Sequence, residues 1–262
     1  MKRNQLSRLF GVIIAALACC VATANAELVG SWQFDGDAND SSGKGNHGTL
    51  ENGASLSSDT PTGTGQSLSL AGGEQHVLVP HDSSLDITSA ITISAWVKTA
   101  NVGWDAIVGK TPSDGSSANH AGNYELRIDR DNENRGVNFG YQRGGVDDST
   151  FHLNQAVSMP TDKWTHLAVT AEAGGEVNYY LDGALAGTHE TLVDVNFGAP
   201  NTSPLYIGSR ADLFTTMDGL LDDVRIYNEV LSAGDIAALV PEPSAGLLCL
   251  LGVAALIRRR RR

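Results

Sequence analysis

The stretch Ile91-Thr92-Ile93-Ser94-Ala95-Trp96-Val97 puts Ile91, Ile93, Ala95 and Val97 on one face and Thr92, Ser94 and Trp96 on the other. A period of two belongs to a half-buried strand. Short runs of this kind, each closed by Gly, Asp, Asn or Ser, recur throughout residues 27–239. They predict strands at 28–34, 76–79, 91–97, 106–110, 124–129, 136–141, 164–171, 177–181, 205–207 and 220–227. Asp182-Gly183 between two such runs is the clearest hairpin turn. Only residues 232–239 read as a helix, capped by Ser232 with Asp235 at the third helical position. Residues 113–123 and 144–160 read as long polar loops, where binding variation is expected. About a dozen strands with this turn spacing imply two antiparallel sheets packed face to face in one all-β domain.

Both ends of the 262-residue chain depart from that pattern. Lys2, Arg3 and Arg8 precede an apolar run at 9–21, and Ala24-Asn25-Ala26 supplies small residues for signal-peptidase cleavage after Ala26. The run is 13 residues, short of the roughly 20 that span a bilayer. Residues 1–26 are therefore expected to be a removable signal peptide. At the other end Pro241-Glu242-Pro243 leads into a 14-residue apolar stretch, 244–257, closed by five arginines, Arg258 to Arg262. That order resembles the PEP-CTERM sorting signal, which implies a membrane-inserted precursor whose tail, 240–262, is removed by an exosortase. The arginines suit a cytoplasmic stop.

All three cysteines, Cys19, Cys20 and Cys249, lie in the two ends, so residues 27–239 have no disulfide and no thiol nucleophile or ligand. Eight of the 18 basic residues also lie there, against one of the 30 acidic ones, Glu242. The remainder carries 10 positive and 29 negative side chains, a net of −19. Such a surface repels nucleic acid and anionic lipid and accommodates divalent cations, cationic partners or neutral sugars.

The blocks Trp32-Gln33-Phe34-Asp35, Asp40-Ser41-Ser42-Gly43-Lys44-Gly45-Asn46-His47-Gly48, Lys163-Trp164-Thr165-His166-Leu167, Tyr180-Leu181-Asp182-Gly183 and Leu221-Asp222-Asp223-Val224-Arg225 stand in the order of a laminin-G-like domain. The chain resembles that family of the concanavalin A-like superfamily across almost all of residues 27–239. The resemblance implies a jelly-roll sandwich whose first and last strands are neighbours. It also implies a structural calcium ion, Ca2+, near the first and last strands, with Asp35, Asp40 and Asp222 as ligands and Asn46 nearby; hard oxygens suit calcium. The alternative is that Asp40-Ser41-Ser42-Gly43 is a plain Asx-type turn.

Glycan binding calls for exposed aromatic faces beside planar polar groups. Trp104 in Asn101-Val102-Gly103-Trp104-Asp105, with Tyr141, Gln142 and Arg143 before a Gly-rich turn, supplies them. Trp32, Trp96 and Trp164 fall in strand patterns and read as core or sheet-packing residues.

Catalysis is disfavoured. Glu125 and Asp129 share one face of a strand but stand about 13 Å apart at roughly 3.3 Å per residue, beyond the roughly 5 to 9.5 Å of a glycosidase pair. Arg127 between them predicts a salt-linked surface row, and none of the seven histidines has metal-ligand spacing. The expectation is an exported, non-enzymatic surface or matrix protein that holds a polysaccharide or another surface protein. A purely architectural component is the alternative, and a carbohydrate-active enzyme a third.

Overall fold

The computed structural model describes residues 26–99, 103–110, 123–131, 134–142, 149–189, 201–213 and 215–241. Both terminal signals, apart from Ala26, Val240 and Pro241, lie outside them, as does Arg143. Among the described residues no helix is long and apolar enough to cross a membrane.

The fold is all-β, as the alternation predicts. In chain order the strands are β1 (Leu28–Trp32), β2 (Thr49–Glu51), β3 (Ser55–Ser57), β4 (Ser67–Ala71), β5 (His76–Val79), β6 (Ala90–Lys98), β7 (Asp105–Gly109) and β8 (Glu125–Asp131). They continue as β9 (Asn134–Gln142), β10 (Ser149–Ser158), β11 (Thr165–Glu172), β12 (Val177–Leu181), β13 (Ala184–His189), β14 (Leu205–Ile207) and β15 (Asp218–Tyr227). One sheet has the order β13-β12-β11-β6-β15-β4-β3 with β1 also on β15, and the other β10-β9-β8-β7-β14-β5-β2. All pairings between these described strands are antiparallel, and the first strand lies on the last.

The core fills the space between the sheets. Ile91, Ile93, Ala95 and Val97 from β6 meet Leu126, Ile128, Val137 and Phe139 from β8 and β9, all buried. Trp32 is fully buried, with its indole over Gly30, where a β-carbon would stand 2.3 Å from the ring. β1 ends there because Phe34 takes a positive φ of 56°. Its ring is still buried.

A second, smaller apolar cluster lies on the outer face of the first sheet. Ala168, Tyr180 and Tyr227 meet Leu231 and Ile236, with Ala26, Leu28 and Leu239 at its edge. The helix α1 (Ala233–Ala238) supplies Ile236, and its capping box is the predicted one: Asp235 N donates to Ser232 Oγ, and Ser232 N to Asp235 Oδ2.

One loop prediction is overturned. Residues 149–158, assigned to a polar insertion, form the ten-residue strand β10 paired with β9. Ser149-Thr150-Phe151-His152-Leu153-Asn154 does alternate, but polar residues dominate it, so composition masked the period.

Candidate functional site

Trp96 leaves β6 on the side away from the core, because Ala95 and Val97 on either side of it are core residues. On the adjacent strand β11 its partner is His166, whose ring meets the indole edge-on at a centroid distance of 5.3 Å. Trp164 stands just before β11, and its Nε1 donates to Asp59 Oδ1 at 2.9 Å. Lys98 Nζ donates to the other Asp59 oxygen at 2.6 Å. These two bonds, Lys98 first and then Trp164, hold the Asp59 carboxyl below its usual range. They also fasten the β3–β4 loop, with Pro61 and Thr62, against the sheet.

The opposite side is built by the predicted hairpin. Asp182 and Gly183 both take positive φ, 48° and 80°, as the two-residue turn between β12 and β13 requires. Asp182 Oδ1 accepts from His166 N at 3.0 Å, and Lys163 Nζ lies 3.6 Å from Asp182 Oδ2. Val240 and Pro241 complete the lining. The result is a cleft of about 580 Å3 with the half-buried indoles of Trp96 and Trp164 in its walls. Both were read as packing residues from the sequence. The overlooked signal for Trp96 is its place in the outward phase of β6, beside Thr92 and Ser94.

His166 lies buried beneath this surface. Burial, aided by the Arg225 charge and opposed by Asp182, pushes its pKa down to about 4 from 6.5. The folded chain therefore resists a proton that the unfolded chain accepts below pH 6.5. The stability this contributes is complete above that pH and is lost as the pH falls towards 4. The melting temperature should drop less across this window in His166→Gln than in the parent protein, as read by thermal unfolding at pH 7.5 and 4.5.

The residues expected to bind calcium are divided. Both Asp40 oxygens are committed to protein donors: Oδ1 accepts from Ser31 N at 2.9 Å and Ser42 N at 2.8 Å, and Oδ2 from Ser42 Oγ at 2.8 Å and Asn46 N at 2.9 Å. Burial raises its pKa, but the bonds from Ser42, Asn46 and Ser31 outweigh it and hold the carboxyl below its usual range. Asn46 donates its side-chain NH2 to Val29 O and Ser84 Oγ, and its backbone carbonyl accepts from Trp32 Nε1. Asp35 is exposed and accepts from Gln66 N at 2.8 Å. Asp222 is buried, and that burial, with the charges of Asp223 and Asp35, pushes its pKa up to about 7. Among the described residues no group of three or more His, Cys, Asp or Glu side chains could hold a metal. The proposed trio does not fit the ion as a unit.

The expected glycan residues separate too. Trp104 is half exposed just before β7, outside the cleft. Tyr141 is corrected: it is fully buried and packs 6.2 Å from Phe139, because its place on β9 points it into the core. The Glu125 row is salt-linked as predicted, with Arg127 bonded to Glu125 at 3.4 Å and to Asp129 Oδ2 at 2.9 Å. It is not a surface row, since Glu125 is fully buried with Arg210 Nε 3.5 Å away. Burial raises the Glu125 pKa against the pull of both arginines.

The fold and cleft can be set beside known proteins. Domain 4 of an extracellular arabinanase from Geobacillus stearothermophilus, solved in complex with arabinotriose, superposes with a TM-score of 0.62 at 21% identity, covering 82% of this chain and 99% of that one. A structure of botulinum neurotoxin type C, whose cell entry depends on interaction with two ganglioside molecules, gives 0.60 at 16% identity over 82% of this chain and 50% of the toxin chain. The adhesion G-protein coupled receptor V1 of Danio rerio is 25% identical over 172 residues, which are 65% of this chain and only 3% of the receptor. At these identities the structural likenesses establish a shared fold. The profile of the concanavalin A-like lectin/glucanases superfamily matches residues 71–237, well over half of the sequence, and the chain belongs to that superfamily.

Proposed function

We propose that this protein is a non-catalytic carbohydrate-recognition module, and that a neutral oligosaccharide of two or three residues occupies the cleft between Trp96 and Trp164. The observation that carries this reading is the pair of half-buried indoles in the walls of a cavity of about 580 Å3. An aromatic face takes the apolar C–H face of a sugar ring, while a few polar groups at the rim orient its hydroxyls. Lys163, Asp182 and Thr62 are at that rim. The net charge of −19 on residues 27–239 favours a neutral sugar over an acidic one. The arabinanase domain of the same fold was solved with arabinotriose, a neutral trisaccharide.

Export and removal of the tail by an exosortase belong to the same reading and rest on the sequence of the two ends. They would deliver the module to the cell surface or matrix, where a polysaccharide is met.

The test is calorimetric titration of the full chain with arabinotriose, sialyllactose and xylotriose, followed by the same titrations on variants. Burying an indole against a ligand is worth about 1.5–3 kcal/mol, so Trp164→Ala is expected to weaken binding of the preferred trisaccharide by roughly ten- to a hundredfold. Trp104→Ala should leave it unchanged. Loss of binding in Trp104→Ala with retention in Trp164→Ala would move the site to the other loop and sink the cleft.

A further inference from the structure

We propose that the segment through which the C-terminal tail leaves the domain is itself part of the ligand cleft, so that Val240 and Pro241 contact the bound saccharide and set its affinity. The inference rests on the cleft reading above and goes beyond it. The cleft is lined by Pro61, Thr62, Trp96, Lys163, Trp164 and Asp182 of the sandwich together with Val240 and Pro241, where the chain runs on from α1.

Their position is fixed by the fold. Val240 N donates to Ala237 O at 3.2 Å, and Leu239 N to Ile236 O at 3.1 Å, so the chain leaves α1 without a free joint. Ile236 is anchored in the small outer cluster with Tyr180 and Tyr227. The hairpin contributes the other half of the seat. A β-carbon at Gly183 would stand 3.2 Å from Ala237 Cα and 3.3 Å from Val240 Cγ2, tighter than ordinary van der Waals contact. The bare glycine therefore lets Val240 settle against the Asp182-Gly183 turn, directly beside the Asp182 side chain at the rim. Val240 is half-buried there and Pro241 is exposed. A rigid proline ring at the lip presents an apolar face without the rotamer entropy that a longer side chain loses on binding.

Two consequences follow from one geometry. Removal of the whole tail, residues 240–262, therefore opens the cleft and lowers affinity in the processed form, whereas trimming that stops at or beyond Pro241 leaves it whole. Binding energy spent on this wall must also act in reverse, because coupling between two events is reciprocal. A saccharide in the cleft holds residues 240 and 241 in place and shields them from a protease.

The experiment uses the full chain and whichever of the three trisaccharides it binds most tightly. The variants are Val240→Ser with Pro241→Gly, and separately Gly183→Ala, which crowds Val240 and also strains the positive-φ turn that carries Asp182. The double variant is expected to bind at least fivefold more weakly with an unchanged melting temperature, and Gly183→Ala to weaken binding in the same direction. Limited proteolysis with a low-specificity protease should cut at residues 240–241 several-fold more slowly when the trisaccharide is saturating. Full affinity in the double variant, alongside lost affinity in Trp164→Ala, would overturn this proposal and leave the cleft standing. Full affinity in Trp164→Ala would overturn both.

Discussion

Replacing Asp40 with alanine should lower the domain's stability by about 4 kcal/mol, because buried donors left without acceptors each cost roughly 1–3 kcal/mol. The carboxylate accepts from three backbone N–H groups, those of Ser31, Ser42 and Asn46, and from the Ser42 hydroxyl. Those bonds fold the loop after β1 back on its own strand. They position Asn46, whose carbonyl accepts from Trp32 Nε1 and whose side chain reaches Val29 O and Ser84 Oγ. Alanine removes every one of these anchors and cannot replace them with water, since Asp40 is 7% exposed. A domain of this length should lose roughly 2–4 °C of melting temperature per kcal/mol, so a fall of about 10 °C is expected in thermal unfolding. Asp40→Asn keeps one carbonyl acceptor and presents an NH2 group to the remaining donors, and should fall between the two.

The same variant also separates the two roles of this residue by pH. Its carboxyl is held below the ordinary range, so the stability it supplies is complete above pH 3.8 and is lost as the pH falls through the lower folded value. Asp40→Ala should therefore lose most at neutral pH and differ less from the parent protein in strong acid. A calcium-dependent role predicts a different signature, in which chelator alone reproduces the loss. A chelator-induced fall of similar size in the parent protein would contradict the hydrogen-bonding account.

Much of this domain was legible because its strands carry the signal in their own alternation. Residues 91–97 announce which face is core, and the structure buries Ile91, Ile93, Ala95 and Val97 accordingly. Asp182-Gly183 and the Ser232 cap are local devices, set by positive φ and by a side chain three residues away, so a sequence displays them whole. Tyr141 follows Val137 and Phe139 at a spacing of two, so its inward phase is present in the strand's own alternation, and its place before a polar loop masks it. What was not legible depends on partners far along the chain. Asp40 has the composition of a cation ligand, but oxygen atoms carry no record of which donors will claim them. Trp164 gains its role from Asp59, 105 residues earlier. The cleft was invisible for the same reason: it joins a loop, strand β6, the entry to β11, a hairpin and the chain's exit point, which meet only when the strands of the first sheet pair.

Lys110 offers the second large effect, and it tests whether a charge can organise a fold that has no disulfide to do so. Its side chain is fully buried, yet its ammonium lies 3.0 Å from Asp86 Oδ1 and donates to Asn201 O at 3.0 Å, Asn201 Oδ1 at 3.1 Å and Ser203 O at 3.0 Å. Burial lowers its pKa, while the Asp86 carboxylate works against that shift. The contacts join three separate pieces: the end of β7, the residue closing the short 3₁₀ turn Ser83–Leu85, and the segment entering β14. Breaking a buried ion pair by removing one member typically costs about 3–5 kcal/mol, because the charge left behind is uncompensated. Lys110→Met is expected to lose that amount in denaturant titration. Lys110→Arg should not restore it, since a planar guanidinium fork cannot offer its protons to acceptors converging on one point. The double variant Lys110→Met with Asp86→Asn should recover part of the loss, because the orphaned carboxylate is then neutral. Additive losses in that double-variant cycle would mean that Lys110 acts by packing its four-carbon stem, and the charge would have no part in joining the three segments.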